Sequence, residues 1–246
     1  MTTMTKTKPK GPTFSRKPTT SKQVSILLYG STGTGKTTTG LHCNSEGSPS
    51  KSLLLACDLN YRALGHEDLP HVELNKWEDW QAVSKGRVEI PWDDFDTVVV
   101  DSVTVLANLC QRFVCDQMGI DHPSDAPHGK GWNRMDAAMK TVALGIMRRA
   151  KNVVWLAQEN TASMTSALGK ETTKFFPDVQ KTVGRSVREN AQLTGRLVVD
   201  AKTGKRYADF RPRPDQEAKD TAGKIPGGRI ELDGKALWDA IKGEGK

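Results

Sequence analysis

No apolar run in the sequence approaches the ~20 residues that a membrane-spanning helix requires, so a chain that crosses a bilayer as helices is excluded. Cysteine is scarce: Cys43, Cys57, Cys110 and Cys115 are scattered without a CxxC pair. Neither a disulfide scaffold nor a cysteine-built zinc module is expected, and a reducing compartment such as the cytoplasm fits best. The five histidines (His42, His66, His71, His122 and His128) have no metal-ligand spacing and are assigned no role. The chain opens without an apolar stretch, so no secretory signal is expected. Acid is missing from the first 23 residues, which hold Lys6, Lys8, Lys10, Arg16, Lys17 and Lys22. Six of the seven net positive charges therefore lie there, and the remainder is nearly neutral. Residues 1–23 read as a disordered basic arm, either a solubilising tail or a tether whose cations release counterions from a phosphate backbone.

What the chain does have is a regular return of Val/Ile/Leu segments within its 246 residues, enough for one large domain over 24–246. Short apolar strands alternate with amphipathic stretches, the pattern of a mostly parallel α/β sheet. Strands are predicted at 24–30, 52–58, 96–102 and 152–158, and helices from about Lys36 and over 77–86, 103–118, 132–150 and 178–192. The Ser/Thr/Lys-rich stretch 159–174 has no hydrophobic period and reads as a mobile loop. Two alternating runs flank Thr203-Gly204 and predict a β-hairpin, and a closing helix ends the chain.

One motif is specific. Gly30-Ser31-Thr32-Gly33-Thr34-Gly35-Lys36-Thr37 matches GxxxxGK[ST] between a predicted strand and a predicted helix. Average residue frequencies give the string a chance of roughly one in a hundred in a chain this long, before its placement is considered. Glycines let backbone N–H groups wrap phosphates at the start of a helix. Lys36 is expected on the β- and γ-phosphates of ATP, Thr37 on Mg²⁺, and Thr38 beside them. Asp101 ends the apolar run VVVD, where a second acid would hold the Mg²⁺ shell; a helix cap is the other reading. Hydrolysis also needs a group to orient or deprotonate water. Asp58 at the end of the second strand is the first candidate, with a turn residue as its alternative, and Glu159 is the second. Gln158, ending the fourth strand, is placed to sense a γ-phosphate, or is an ordinary polar strand end.

These residues carry a resemblance. DTVVVDSVTVL (96–106) resembles the Mg²⁺-site strand of RecA-like recombinases, and NVVWLAQ (152–158) is similar to the strand leading into their second DNA-binding loop. The chain most resembles small phage-encoded RecA-core ATPases that act in single-strand annealing or recombination. The shared order is Gly30–Thr37, Trp77–Trp80, Asp96–Ser102, Gly131-Trp132 and Asn152–Val154, over roughly residues 24–240. The resemblance implies an α/β RecA-like P-loop NTPase core, a mostly parallel sheet flanked by helices with a C-terminal β-hairpin. It implies a DNA-stimulated ATPase that uses ATP and Mg²⁺ and binds single-stranded DNA in phage-type recombination. A homo-oligomer (filament or ring), a possible single-strand binding protein as partner, the host cytoplasm and no membrane partner go with it. Two departures stand out. Asp58 replaces the usual Glu, drawing the carboxylate back by about 1.5 Å, and only the basic arm precedes the core.

By position, the two DNA loops of the resemblance fall at 120–133 and 159–177. Lys130 and Trp132 are the candidates in the first, with Lys170, Lys174 and Phe175 (beside Phe176) in the second. Cations and aromatic platforms together suit sequence-tolerant single-strand binding. Inward packing is the competing reading for Trp132 and for Phe175-Phe176. Arg185, Arg188, Lys205 and Arg206 are candidates for a cation donated to a neighbouring subunit's site, against solvated surface charges. Two other classes remain: a helicase-type motor or loader, and a nucleotide-dependent switch for a protein partner.

Overall fold

A computed structural model describes residues 23–57, 60–65, 68–165, 171–181, 183–221 and 223–243. The basic arm up to residue 22, Asp58 and Lys170 lie outside the described residues.

Five parallel pairings build the centre of the sheet. β1 (Ser25–Gly30) lies between β5 (Val153–Thr165) and β7 (Leu193–Val199). Beyond β5 come β4 (Thr97–Asp101), β2 (Ser52–Ala56) and β3 (His71–Glu73). On the other side β8 (Arg206–Asp209) and β10 (Arg229–Glu231) add antiparallel strands. The path is β10-β8-β7-β1-β5-β4-β2-β3, with β6 (Glu171–Pro177) on β5 and β9 (Lys219–Asp220) on β7. The expected mostly parallel sheet and the β7–β8 hairpin are both present. The short strands β3, β9 and β10 carry too little sequence pattern to have been anticipated.

Each central strand is apolar on both faces because helices cover both. Leu27 and Tyr29 of β1 point with Val98, Val100 and Trp155 toward one helical layer. That layer comprises α2 (Trp77–Ser84), α3 (Val103–Met118), α4 (Lys130–Met147) and α5 (Arg185–Asn190). Ile26 and Leu28 point the other way, with Val99 and Leu156, against α1 (Lys36–His42) and α6 (Gly234–Lys242). Helix ends follow the local chemistry. Ser102 accepts from the Val105 N–H at the start of α3, Gly119 closes it at φ 63°, and Asp233 caps α6.

Two sequence expectations are corrected. Residues 159–165 and 171–177 form a two-stranded ribbon rather than a loop, with Glu159 opposite Pro177 and Thr165 opposite Glu171. Its outer part is exposed on both faces, so no apolar alternation marks it, while its threonines favour extended backbone. The helix expected over 178–192 is only Arg185–Asn190. Gly184 packs so closely on Val179 that a Cβ there would lie 2.8 Å from Val179 Cγ1, and the preceding residues turn instead of coiling.

Arg188 is likewise not a surface cation. Its guanidinium donates to Glu217 Oε2 (2.5 Å) and to the carbonyls of Pro177 (3.0 Å) and Val179 (2.7 Å). Tyr29 Oη donates to the Glu217 carbonyl (2.7 Å), so one node ties α5, the ribbon's root and the 211–220 segment to β1. Burial, the leading cause, pushes the Tyr29 hydroxyl well above the usual tyrosine range. Replacing Arg188 by Ala strands a carboxylate and two carbonyls, and is expected to lower unfolding free energy by about 2–3 kcal/mol. Urea denaturation of the variant checks this; a loss below about 0.5 kcal/mol, the scale of an ordinary surface substitution, would return Arg188 to the surface charges.

Candidate functional site

The site is assembled at the carboxyl ends of the parallel strands. After Gly30 the chain turns through Ser31–Gly35 with Gly33 at φ 81° and Gly35 at φ 91°, left-handed values that a side chain would strain, and enters α1. The Thr34 hydroxyl donates to the Ser31 carbonyl (2.8 Å) and the Thr39 hydroxyl to the Gly35 carbonyl (2.8 Å), holding the loop on its helix. Ser31, Thr32 and Gly33 are exposed, as is Thr38.

Lys36 is 8% exposed and folds back over the loop. Its ammonium donates to the carbonyls of Gly30 (2.8 Å) and Ser31 (2.9 Å) and to Oε1 of Gln158 (3.2 Å). Burial lowers its pKa, and the negative charges of Asp101 and Glu159 pull in the opposite direction. Among the described residues no carboxylate pairs directly with this desolvated cation, which suits it to an anion with several acceptor oxygens.

Thr37 Oγ1 donates to Asp101 Oδ2 at 2.6 Å. A hydroxyl and a carboxylate side by side are hard oxygen donors. They fit Mg²⁺, which keeps most of its water shell and takes only one or two protein ligands beside phosphate oxygens. No cluster of three or more His, Cys, Asp or Glu suited to a metal ion occurs among the described residues. The pair thus fits a metal that arrives with phosphate better than one held by protein alone. Asp58 lies outside the described residues. Its neighbour Cys57 donates its backbone N–H to the Asp101 carbonyl (2.8 Å), so the end of β2 lies beside the end of β4.

Because β5 is inserted between β1 and β4, its end stands between the loop and Asp101. Gln158 pairs with Gly30 across the sheet. Its N–H donates to Thr104 Oγ1 (3.0 Å), and its carbonyl accepts from the Asp178 N–H (2.7 Å). Glu159 follows at the root of the ribbon. One of its carboxylate oxygens accepts from Ser31 Oγ (3.0 Å) and the other from Arg196 Nε (2.6 Å). The Arg196 guanidinium lies 3.4 Å from the centre of the Phe175 ring.

Arg196 was missed from sequence. The signal was there: LTGRLVV is a buried strand with one cation in its middle, and such a cation needs a partner. The structure joins Lys36, Thr37, Gln158, Glu159 and Asp101 in one site. It leaves Lys130 exposed at the start of α4, and Trp132 half-buried with its ring edge-on to His122 at 5.5 Å. Phe175 is half-buried against the core beneath Arg196, so its ring face is already covered. Lys174 and Phe176, two residues apart in β6, are half-buried on the same face of the ribbon, opposite to that of Phe175; Lys174 pairs with Ala162 and Phe176 with Asn160.

The four cations considered for a neighbouring site are dispersed. Arg188 is internal; Lys205 pairs with Glu231 at 3.1 Å; Arg185 is exposed. Arg206 lies against this chain's own loop, with Nη1 3.2 Å from where a Cβ on Gly35 would stand.

A glycine loop closing on a buried lysine, with a Thr–Asp pair beside it and between them a strand whose parallel pairing stops at a glutamine, defines a P-loop NTPase. The chain belongs to the AAA domain family, whose model matches residues 22–222. It is 24% identical over 173 residues to the SPbeta prophage-derived uncharacterized protein YorG of Bacillus subtilis (strain 168). That match covers 68% of this chain and 48% of YorG, so the chain spans about half the length of this relative. The crystal structure of the RadB recombinase aligns with a TM-score of 0.43 at 15% identity, covering 79% of this chain and 84% of that one. No helix among the described residues is long and apolar enough to cross a membrane.

Proposed function

We propose that this protein is a DNA-stimulated ATPase that binds single-stranded DNA and promotes annealing or strand exchange in phage-type recombination. The observation that carries the reading is the contact from Lys36 to Gln158, which joins the phosphate loop to the root of the β5–β6 ribbon. A triphosphate on the loop competes for the Lys36 ammonium and releases the Gln158 amide to meet the γ-phosphate. Since Gln158 and Glu159 begin the ribbon, nucleotide state and ribbon position become linked.

Each residue has its task. The backbone N–H groups of 31–36 and the Lys36 ammonium bind phosphate oxygens, and Thr37 with Asp101 would hold Mg²⁺. Bound there with nucleotide, the metal would supply charge neutralisation for the phosphates. Asp58 is proposed to orient the attacking water; Glu159 is the alternative, once it leaves Arg196. Arg206 supports phosphate binding from within the same chain. Lys130, Lys174 and Lys170 are proposed to track a DNA backbone, with Phe176 a more open aromatic than Phe175 for bases. The basic arm adds sequence-independent attraction. A homo-oligomer and a cytoplasmic setting accompany this reading, and a prophage-derived relative agrees with a phage origin.

The test is the ATPase rate with and without single-stranded DNA, alongside DNA affinity with and without ATP. Each ligand is expected to strengthen the other's binding by the same factor. No effect in either direction would overturn the recombinase reading and leave a nucleotide-dependent switch.

A further inference from the structure

Behind Gln158, between α3, α4 and the turn after β6, lies a slot of about 140 Å³. Its floor is apolar, built by Met135, Val179 and Val183, all buried. Trp132 forms a wall, and the carboxamides of Asn108, Gln111 and Gln180 stand around it. No side-chain hydrogen bond ties any of those three amides to another described residue. Among the described residues no lysine or arginine lines the slot, yet Lys130 and Lys181, both exposed, lie one or two residues from its lining.

We infer that the slot takes one unstacked nucleobase of a bound single strand, and this rests on the single-strand reading above. The chemistry matches feature by feature. An apolar floor and an indole wall suit the ring, and amides can donate to and accept from the edge of any base. Cations outside the slot and none within suit a phosphate backbone that passes the mouth while the base enters. A phosphate or carboxylate would find no cation inside, and the space suits a single heteroaromatic ring better than a peptide segment.

The slot also adjoins the nucleotide site. Thr104 and Asp178 line it, and these two hold the N–H and the carbonyl of Gln158. A base seated there touches both residues that fix the glutamine contacting Lys36, so it acts on the P-loop without reaching it.

The experiment uses the full chain with ATP and two labelled oligonucleotides of equal length and charge, one oligo-dT and one abasic through its central positions. Anisotropy is expected to give a roughly 5- to 100-fold weaker affinity for the abasic strand, the range of base–aromatic stacking. Trp132→Phe should remove the DNA-induced change in tryptophan emission, and Asn108→Ala/Gln180→Ala, both exposed positions, should shrink the preference for bases. Equal affinity for the two strands, or a preference unchanged in these variants, overturns the slot while the single-strand reading stands. Binding of neither strand overturns both.

Discussion

Lys36→Ala is expected to cost nucleotide binding without costing the fold. The ammonium lies buried among the carbonyls of Gly30 and Ser31 and the Gln158 amide, so it is partly dehydrated before any ligand arrives. Removing a desolvated charge that meets an opposite charge typically costs about 3–4 kcal/mol, here a ~10²- to 10³-fold loss of ATP affinity. The effect on the free protein has the opposite sense. Burial holds the pKa of Lys36 below the ordinary lysine range. The unfolded chain therefore binds the proton more readily, and this group's contribution to stability rises as pH rises through its folded pKa. At neutral pH its charge is a net cost to the fold, and Lys36→Ala should leave the melting temperature of the nucleotide-free protein unchanged or raised. Calorimetric titration with ATP and thermal melts without it check the two halves. Retained affinity would remove Lys36 from the site, and a collapse of the apo melt would make the lysine structural.

Much of this site was legible because each element of it is local. Gly33, Gly35, Lys36 and Thr37 sit within five residues, and every one has a reason in backbone geometry or phosphate charge. Asp101 and Gln158 could be placed because both follow apolar runs that pair in the parallel sheet, and such runs stop on one face. The strand order was not legible. Nothing in NVVWLAQ says that it inserts between the strands ending at Gly30 and Asp101, yet that insertion brings Gln158 to Lys36.

The ribbon escaped for a different reason. Apolar alternation marks a strand with one face in a core, and Thr161, Ser163, Thr172 and Thr173 have neither face there. Phe175 and Trp132 show the limit of reading aromatics near basic residues. Sequence left inward packing and base stacking both open. The structure covers the Phe175 face with Arg196, and turns Trp132 to line a slot whose other walls come from residues up to about 50 positions away. Arg196 itself meets Glu159 only because β7 and β5 flank β1, with Arg196 opposite Tyr29 and Gln158 opposite Gly30.

That pair carries the second large effect. The Glu159 and Arg196 side chains are 8% and 16% exposed, and they bridge Ser31 of the loop to Phe175 of the ribbon. Arg196→Ala leaves a carboxylate buried without its cation and uncovers the Phe175 ring, so about 3–5 kcal/mol of stability should be lost. Glu159→Gln keeps the shape and an acceptor for Ser31, and should cost less. If the stranded charge is the main penalty, the double variant is more stable than Arg196→Ala alone, and a double-mutant cycle in urea measures the difference. The same variants separate stability from signalling. Glu159→Gln loosens the link between loop and ribbon while Lys36, Thr37 and Asp101 stay in place, so ATP should still bind while its effect on DNA affinity falls. Additive single and double variants would mean that the two side chains act independently. An undiminished effect of ATP on DNA binding in Glu159→Gln would route the coupling through Gln158 alone.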